Sequence, residues 1–169
     1  QRVSLATLRL SHSKPAFTMA LHATVGRLEP GGRLWVYGAN DEGIRSIARL
    51  LGPMLDSVEV ADTRRHCRVL TGIRKTDIAD LKDSLEAWQQ ITALALPPAP
   101  LPIISYPGIF AKGGLDPATQ ALLAAIPDPP AGSRVLDFAC GAGVISAQLL
   151  RRQLGALGQL ARAQHRRID

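Results

Sequence analysis

The stretch from Ser133 to Leu150 constrains the fold more than any other in this chain. Val135 and Leu136 form a short apolar run with a β-branched start, which suits a buried strand. Asp137 closes that run. Gly141 and Gly143 then supply a tight turn in which backbone can approach a ligand without a Cβ in the way. From Val144 to Leu150 the residues are mostly apolar or small, and a helix can begin there. The order is strand, acid, glycine loop, helix. Such a unit lays a nucleotide-like ligand over the helix N-terminus, where free backbone N–H groups point outward.

Two ligand classes use this unit, and they differ at the acid. A dinucleotide site wants Gly-x-Gly-x-x-Gly directly after the strand, with its acid about 20 residues later. Here Ser146 holds the third glycine position and the acid comes first, which disfavours a nicotinamide-dependent oxidoreductase. An acid at the end of the first strand, followed by a glycine loop, resembles motif I of the class I S-adenosylmethionine-dependent methyltransferases. That family's pattern is Asp/Glu-x-Gly-x-Gly-x-Gly. Asp137-Phe138-Ala139-Cys140-Gly141-Ala142-Gly143 follows it with Ala139 in place of the first glycine, which adds one methyl group near the expected cofactor.

A chain of 169 residues has room for one full domain or for parts of two. No apolar run is long enough to span a bilayer, and no secretory signal is visible. Cys67 and Cys140 suggest neither a metal site nor a disulfide framework, which fits a reduced, cytoplasmic setting. The net charge of +6 is unevenly placed. Residues 151–169 hold Arg151, Arg152, Arg162, Arg166 and Arg167 against Asp169, so basicity by itself does not establish an RNA-binding surface. The chain starts at Gln1 and its first methionine is Met19, inside an expected helix; the expectation is a fragment.

In order, Val3 to Leu10 reads as a strand. Pro15 to Leu28 reads as a helix with Phe17, Leu21, Val25 and Leu28 on one stripe. Pro30, Gly31 and Gly32 break it, and Arg33 to Tyr37 is a strand. Gly38 to Gly43 is a turn, with Asn40 or Asp41 placed to cap a helix whose inner face is Ile44, Ile47, Ala48 and Leu51. Ser57 to Val60 and Cys67 to Ile73 are strands around a basic turn, Asp62 to His66. Arg64, Arg65, His66 and Arg68 have the chemistry to touch a phosphate backbone, but a solvated turn is the better account of them. These segments predict an α/β domain with a largely parallel sheet and an antiparallel edge hairpin. Asp80 to Ile91 reads as a short helix. The Pro-rich run Leu96 to Pro102 reads as an extended linker, which divides a first domain, 1–95, from a second, 103–150. Ile103 to Tyr106 is a strand. Asp116 as N-cap and Pro117 at the first helical position announce a helix that Pro127 stops.

Phe110, Leu115-Asp116 and Thr119, followed by Val135-Leu136-Asp137 and the glycine loop, narrow the resemblance to one branch. Gly31 to Gly38 and Gly43 to Ser46 point the same way. Together they resemble the ribosomal RNA small subunit methyltransferase C family, over about residues 3–150. The resemblance implies a Rossmann-like α/β fold in which a partial N-terminal methyltransferase-like domain precedes the start of a catalytic domain. In that family the first domain has lost cofactor binding and the second methylates a guanine N2 amine. The cofactor implied is S-adenosyl-L-methionine, the partner is ribosomal RNA of the small subunit, and a monomer with no membrane attachment is expected. Family analogy has Phe110, Lys112, Asp116 and Thr119 frame the cofactor's methionine end, and has Asp137, Ala139, Cys140, Gly141, Ala142 and Gly143 wrap it. For Asp116 and Thr119, helix capping is an equal account.

The family's target-base motif, Asn-Pro-Pro-Phe or Asp-Pro-Pro-Tyr, belongs after a later strand and is missing. Asp128-Pro129-Pro130-Ala131 imitates it upstream of the glycine loop and lacks the aromatic. The second strand, whose terminal acid would grip the ribose, does not follow Leu150. Residues 151–169 read as an aberrant or disordered tail, foreign to the fold after about Gly155, and an inactive fragment is expected. The non-enzymatic rival is an RNA-binding or ribosome-assembly module.

Overall fold

The computed structural model describes residues 1–109 and 115–165. It divides into two compact units, Gln1–Gln89 and Gln90–Asp169.

The first unit is built on a four-stranded sheet of order β1-β2-β4-β3. Strand β1, Val3–Arg9, leads into helix α1, Lys14–Arg27, which Ser13 caps by accepting from Ala16 N. Phe17, Leu21, Val25 and Leu28 form one fully buried stripe, as their spacing predicts. Strand β2, Leu28–Ala39, begins earlier than expected. Its Pro30-Gly31-Gly32 segment is absorbed as an irregularity in the pairing with β1, with Gly31 at φ 79°. Leu34 and Val36 face the core while Arg33 and Tyr37 face out, the alternation of a half-covered sheet.

A largely parallel sheet does not form. Only β1 and β2 are parallel, and β4, Cys67–Arg74, runs antiparallel to both β2 and β3, Leu55–Arg64. The reason is the tight connection between β3 and β4, since adjacent strands joined by two residues must reverse direction. That connection is Arg65-His66, with both residues at positive φ, 45° and 65°. A left-handed conformation costs a residue with a Cβ about 1–2 kcal/mol, and such turns favour Asn-Gly.

Between β2 and β3 the expected helix is shorter than its pattern. It splits into a 3-10 turn, Ile44–Ser46, and α2, Ala48–Leu51. Neither Asn40 nor Asp41 caps it. Asn40 Oδ1 instead accepts from Arg45 Nε, and Glu42 turns back to accept from Ala39 N at 2.8 Å. That amide, and then Arg9 and His12, hold the Glu42 carboxyl below its ordinary value. Arg74 is buried and donates Nε to Val25 O, satisfying a carbonyl in the last turn of α1.

Asp80 to Ile91 is not a helix. It holds a 3-10 turn, Glu86–Trp88, and then enters β5, Gln90–Leu94. Tertiary bonds override the helical spacing. Lys82 N donates to His22 Nδ1, Trp88 Nε1 donates to Lys82 O, and the His22 and Trp88 rings meet edge-on with centroids 5.2 Å apart.

In the second unit β5 pairs with β6, Leu101–Ser105, as an antiparallel hairpin. The Pro-rich run expected to link two domains is therefore the connection inside a hairpin, and the division falls between Gln89 and Gln90. Pro102 is tolerated because a two-stranded sheet leaves its outer edge unpaired. Helix α3, Pro117–Ala125, and α4, Val144–His165, complete the unit. The apolar cluster consists of Leu94, Leu96, Leu101, Ile103 and Leu123. Residues 151–165, expected as a disordered tail, continue α4. Arg151 donates to Ala99 O, and Arg152 donates to Leu123 O and Ile126 O at the end of α3, which gives the helix tertiary anchors. No helix among the described residues is long and apolar enough to cross a membrane.

Candidate cofactor site

Two local structures in the second unit converge on one cleft. The first is the start of α3. Asp116 adopts an extended backbone and its Oδ1 accepts from Ala118 N at 3.0 Å and from Thr119 N at 3.1 Å. Its Oδ2 accepts from the Thr119 hydroxyl. That hydroxyl first, and the backbone amides after it, keep the Asp116 carboxyl below its ordinary value. Capping and cleft lining are thus compatible roles for this pair.

The second is the bend before α4. Ala139, Gly141 and Gly143 lie at φ 58°, 56° and 71°. A Cβ added at Gly141 or Gly143 would meet nothing within 4 Å, so these positions are glycine for backbone conformation, and the space beside them is open. Asp137 faces across the bend. Its Oδ2 accepts from Ser146 N at 3.2 Å and from Ser146 Oγ at 2.7 Å. Ser146 is the third residue of α4, so the bond satisfies an N–H that has no partner within the helix. In the sequence Ser146 stands out only as a failed glycine position. A hydroxyl in the first helical turn, just beyond an acid and a tight bend, is the signal that would have found it.

The expected strand at Val135-Leu136 is absent. The segment pairs with no strand, and Val135, Leu136 and Phe138 are 53%, 87% and 89% exposed. A strand exists only with ladder partners, and among the described residues the second unit supplies just β5 and β6, which pair with each other.

The resulting cleft has a volume of about 230 Å³. Its walls are Leu115, Asp116, Thr119, Asp137 to Ala142, Val144 and Ile145. Asp116, Thr119, Asp137, Ala139, Cys140, Gly141 and Ala142 are therefore brought together, and Gly143 adjoins them. Phe110 and Lys112 lie outside the described residues. Among the described residues the two carboxylates are the only charged groups on these walls, which suits a cation. The volume is below the roughly 300–1,000 Å³ of pockets that enclose a whole ligand. The cleft has room for only part of such a ligand. Among the described residues no group of His, Cys, Asp and Glu is arranged to hold a metal ion.

Comparison with known proteins places both units in methyltransferase families. Residues 1–90 match the methyltransferase small domain N-terminal family, and residues 100–165 match the methyltransferase small domain. Ribosomal RNA small subunit methyltransferase C of Pseudoalteromonas atlantica is 39% identical over 140 residues, 83% of this chain and 40% of that protein. Its counterpart from Alcanivorax borkumensis is 34% identical over 149 residues, 87% of this chain and 44% of that protein. This chain thus spans less than half the length of either relative. Among solved structures, the T. thermophilus 16S rRNA N2 G1207 methyltransferase in complex with AdoMet and guanosine superposes with a TM-score of 0.63 at 23% identity. The match covers 73% of this chain and 33% of that one, and it supports the fold.

Proposed function

The chain belongs to the ribosomal RNA small subunit methyltransferase C family, and from that premise we propose a function for each unit. The second unit carries the first binding elements for S-adenosylmethionine. The first unit is a methyltransferase-like domain without a cofactor site. The reaction of the intact family protein is methyl transfer to a guanine N2 amine of small-subunit ribosomal RNA, carried out in the cytoplasm. S-adenosylmethionine, when bound, supplies a methyl group on a positively charged sulfur. What this chain contributes is orientation. Asp116 and Asp137 give a negative wall to the cationic methionine end, and the open glycine bend lets the ligand lie against backbone N–H groups at the start of α4.

The observation that carries this reading is that two carboxylates, Asp116 and Asp137, line one cleft together with Ala139 to Ala142. The same geometry limits it. No strand follows α4 among the described residues, so no acid stands ready for the ribose hydroxyls. No Asn-Pro-Pro-Phe or Asp-Pro-Pro-Tyr occurs after Gly143 to hold the target amine. The chain therefore binds the cofactor weakly and transfers nothing by itself.

Titration of the whole chain with S-adenosylmethionine, followed by amide chemical shifts, tests both halves. Shifts confined to Asp116 to Thr119 and Asp137 to Ile145, saturating only in the millimolar range, are expected. Absence of shifts at those residues overturns the site, and micromolar affinity overturns the incompleteness.

A further inference from the structure

The basic turn between β3 and β4 has no part in the cofactor site, yet it combines three features. The first is its backbone. Arg65 and His66 both occupy the left-handed region, where Asn and Gly are the favoured residues. Strain of this kind persists where the surroundings enforce it, and it gathers at ligand-binding positions.

The second is its anchorage. The amide of Asn40 donates to His66 O at 2.7 Å, and Asn40 Oδ1 accepts from Arg45 Nε at 3.3 Å. One loop thereby pins the turn and positions Arg45. Beside Arg45 lies a shallow basin lined by Arg45, Ser46, Ala48 and Arg49, with no acid on its walls.

The third is charge balance. Arg9 is neutralised by Glu42, and Arg64 pairs with Asp62 at 3.3 Å. Arg65, Arg45 and Arg49 form no ion pair among the described residues, and the Nε of half-buried Arg68 is buried without a hydrogen-bond partner. The surface thus presents uncompensated guanidinium groups whose planar donor sets match phosphate oxygens.

We propose that the Arg65-His66 turn, with Arg45 and Arg49, is a docking surface for the phosphodiester backbone of RNA. The choice of RNA rests on the function proposed above; the surface itself rests on the turn, the basin and the unpaired arginines. Contacts of this kind position a nucleic acid without reading its sequence. The side chain of Arg65 is exposed and free to follow a backbone, while the strained turn fixes where it leaves the sheet.

The test exploits the strain. In the double variant Arg65→Asn, His66→Gly the favoured turn pair replaces the strained one and a single arginine is lost. Binding of the full-length chain to a fluorescein-labelled RNA hairpin of arbitrary sequence is measured by anisotropy over a range of salt concentrations. The expected result is a thermal midpoint raised by about 4–8 °C, with affinity lowered roughly 5- to 10-fold near 0.1 M salt and the salt slope reduced by about one. Arg45→Gln in the unaltered turn lowers affinity by a similar factor. Wild-type RNA affinity and an unchanged slope in both variants overturn the surface while leaving the cofactor reading intact. Absence of RNA binding by the parent chain, alongside a normal cofactor titration, overturns the surface as well. Failure of the cofactor titration with the surface behaving as described counts against the other reading alone. Equal or tighter binding to phosphatidylserine vesicles, lost in the same variants, replaces RNA by a membrane and refutes the proposal.

Discussion

Replacing Ala139 by glycine tests the cofactor bend at its one departure from the family pattern. Ala139 sits at φ 58° on the cleft wall. Holding a residue with a Cβ in the left-handed region costs about 1–2 kcal/mol, a cost glycine does not bear. Against this, glycine gives the unfolded chain more freedom, which offsets about 0.4–1 kcal/mol. The net expectation is a gain of roughly 0.5–1 kcal/mol. For a unit of this size that corresponds to a rise of about 2–8 °C in midpoint. Because the chain has two units, a single transition is not assumed. Calorimetry resolves the transitions, and tryptophan fluorescence provides an internal control, since Trp35 and Trp88 both lie in the first unit. The expected outcome is an upward shift of the second unit's transition with an unmoved fluorescence midpoint. A fall of about 0.5–1 kcal/mol, the ordinary effect of glycine in place of alanine, would show that Ala139 is not left-handed in solution and would refute the account of the bend.

The contact of Lys82 and Trp88 with His22 on α1 carries a pH dependence. Burial first, then the Lys82 charge, push the His22 imidazole below its ordinary value of 6.5, with Asp80 opposing. The neutral ring is the form that accepts from Lys82 N. The contribution is therefore complete above the unfolded value and is lost as pH falls through the lower folded value. Hydrogen exchange at Lys82 N, corrected for intrinsic rate, should accelerate over that window; a flat profile, or one shared by His22→Gln, rejects the latch. Gly38→Ala probes close packing where β1 meets β2, since a Cβ built there lies 2.8 Å from Leu10 Cβ and 3.2 Å from Glu42 Oε2. A loss of about 1–3 kcal/mol is expected for such overpacking, read as a lowered denaturation midpoint by tryptophan fluorescence, and an unshifted midpoint would contradict the crowding.

Signals contained in a few neighbouring residues were legible in the sequence. The stripe Phe17, Leu21, Val25, Leu28 buries as its spacing dictates, and Asp116-Pro117 starts α3 with the side-chain bonds its residue types allow. Illegible features depend on partners distant in sequence. Asp80 to Trp88 has helical spacing, but His22, some sixty residues earlier, offers its amide a better acceptor. Leu96 to Pro102 lacks the N–H at its four prolines and so reads as linker, yet residues on α4 bind carbonyls of the run, Gln148 to Pro97 O and Arg151 to Ala99 O. The Arg65-His66 reversal carries none of the glycine or asparagine that marks such turns.

Asp137 shows how these two kinds of information meet in one residue. Its place before a glycine bend was readable as a ligand-facing acid, and the structure does set it on the cleft. The strand that was to hold it there has no ladder, and Leu136 and Phe138 are exposed on either side. What orients the carboxylate is the far side of the bend, through two bonds from Ser146 to the same oxygen, Oδ2. A carboxylate has about four acceptor positions, so Oδ1 retains capacity for a ligand cation while Oδ2 fixes the side chain to α4. Orientation by the helix instead of by a sheet preserves the direction of the acid but leaves its backbone without the rigidity of a ladder. Weak binding of the proposed cofactor is the expected consequence.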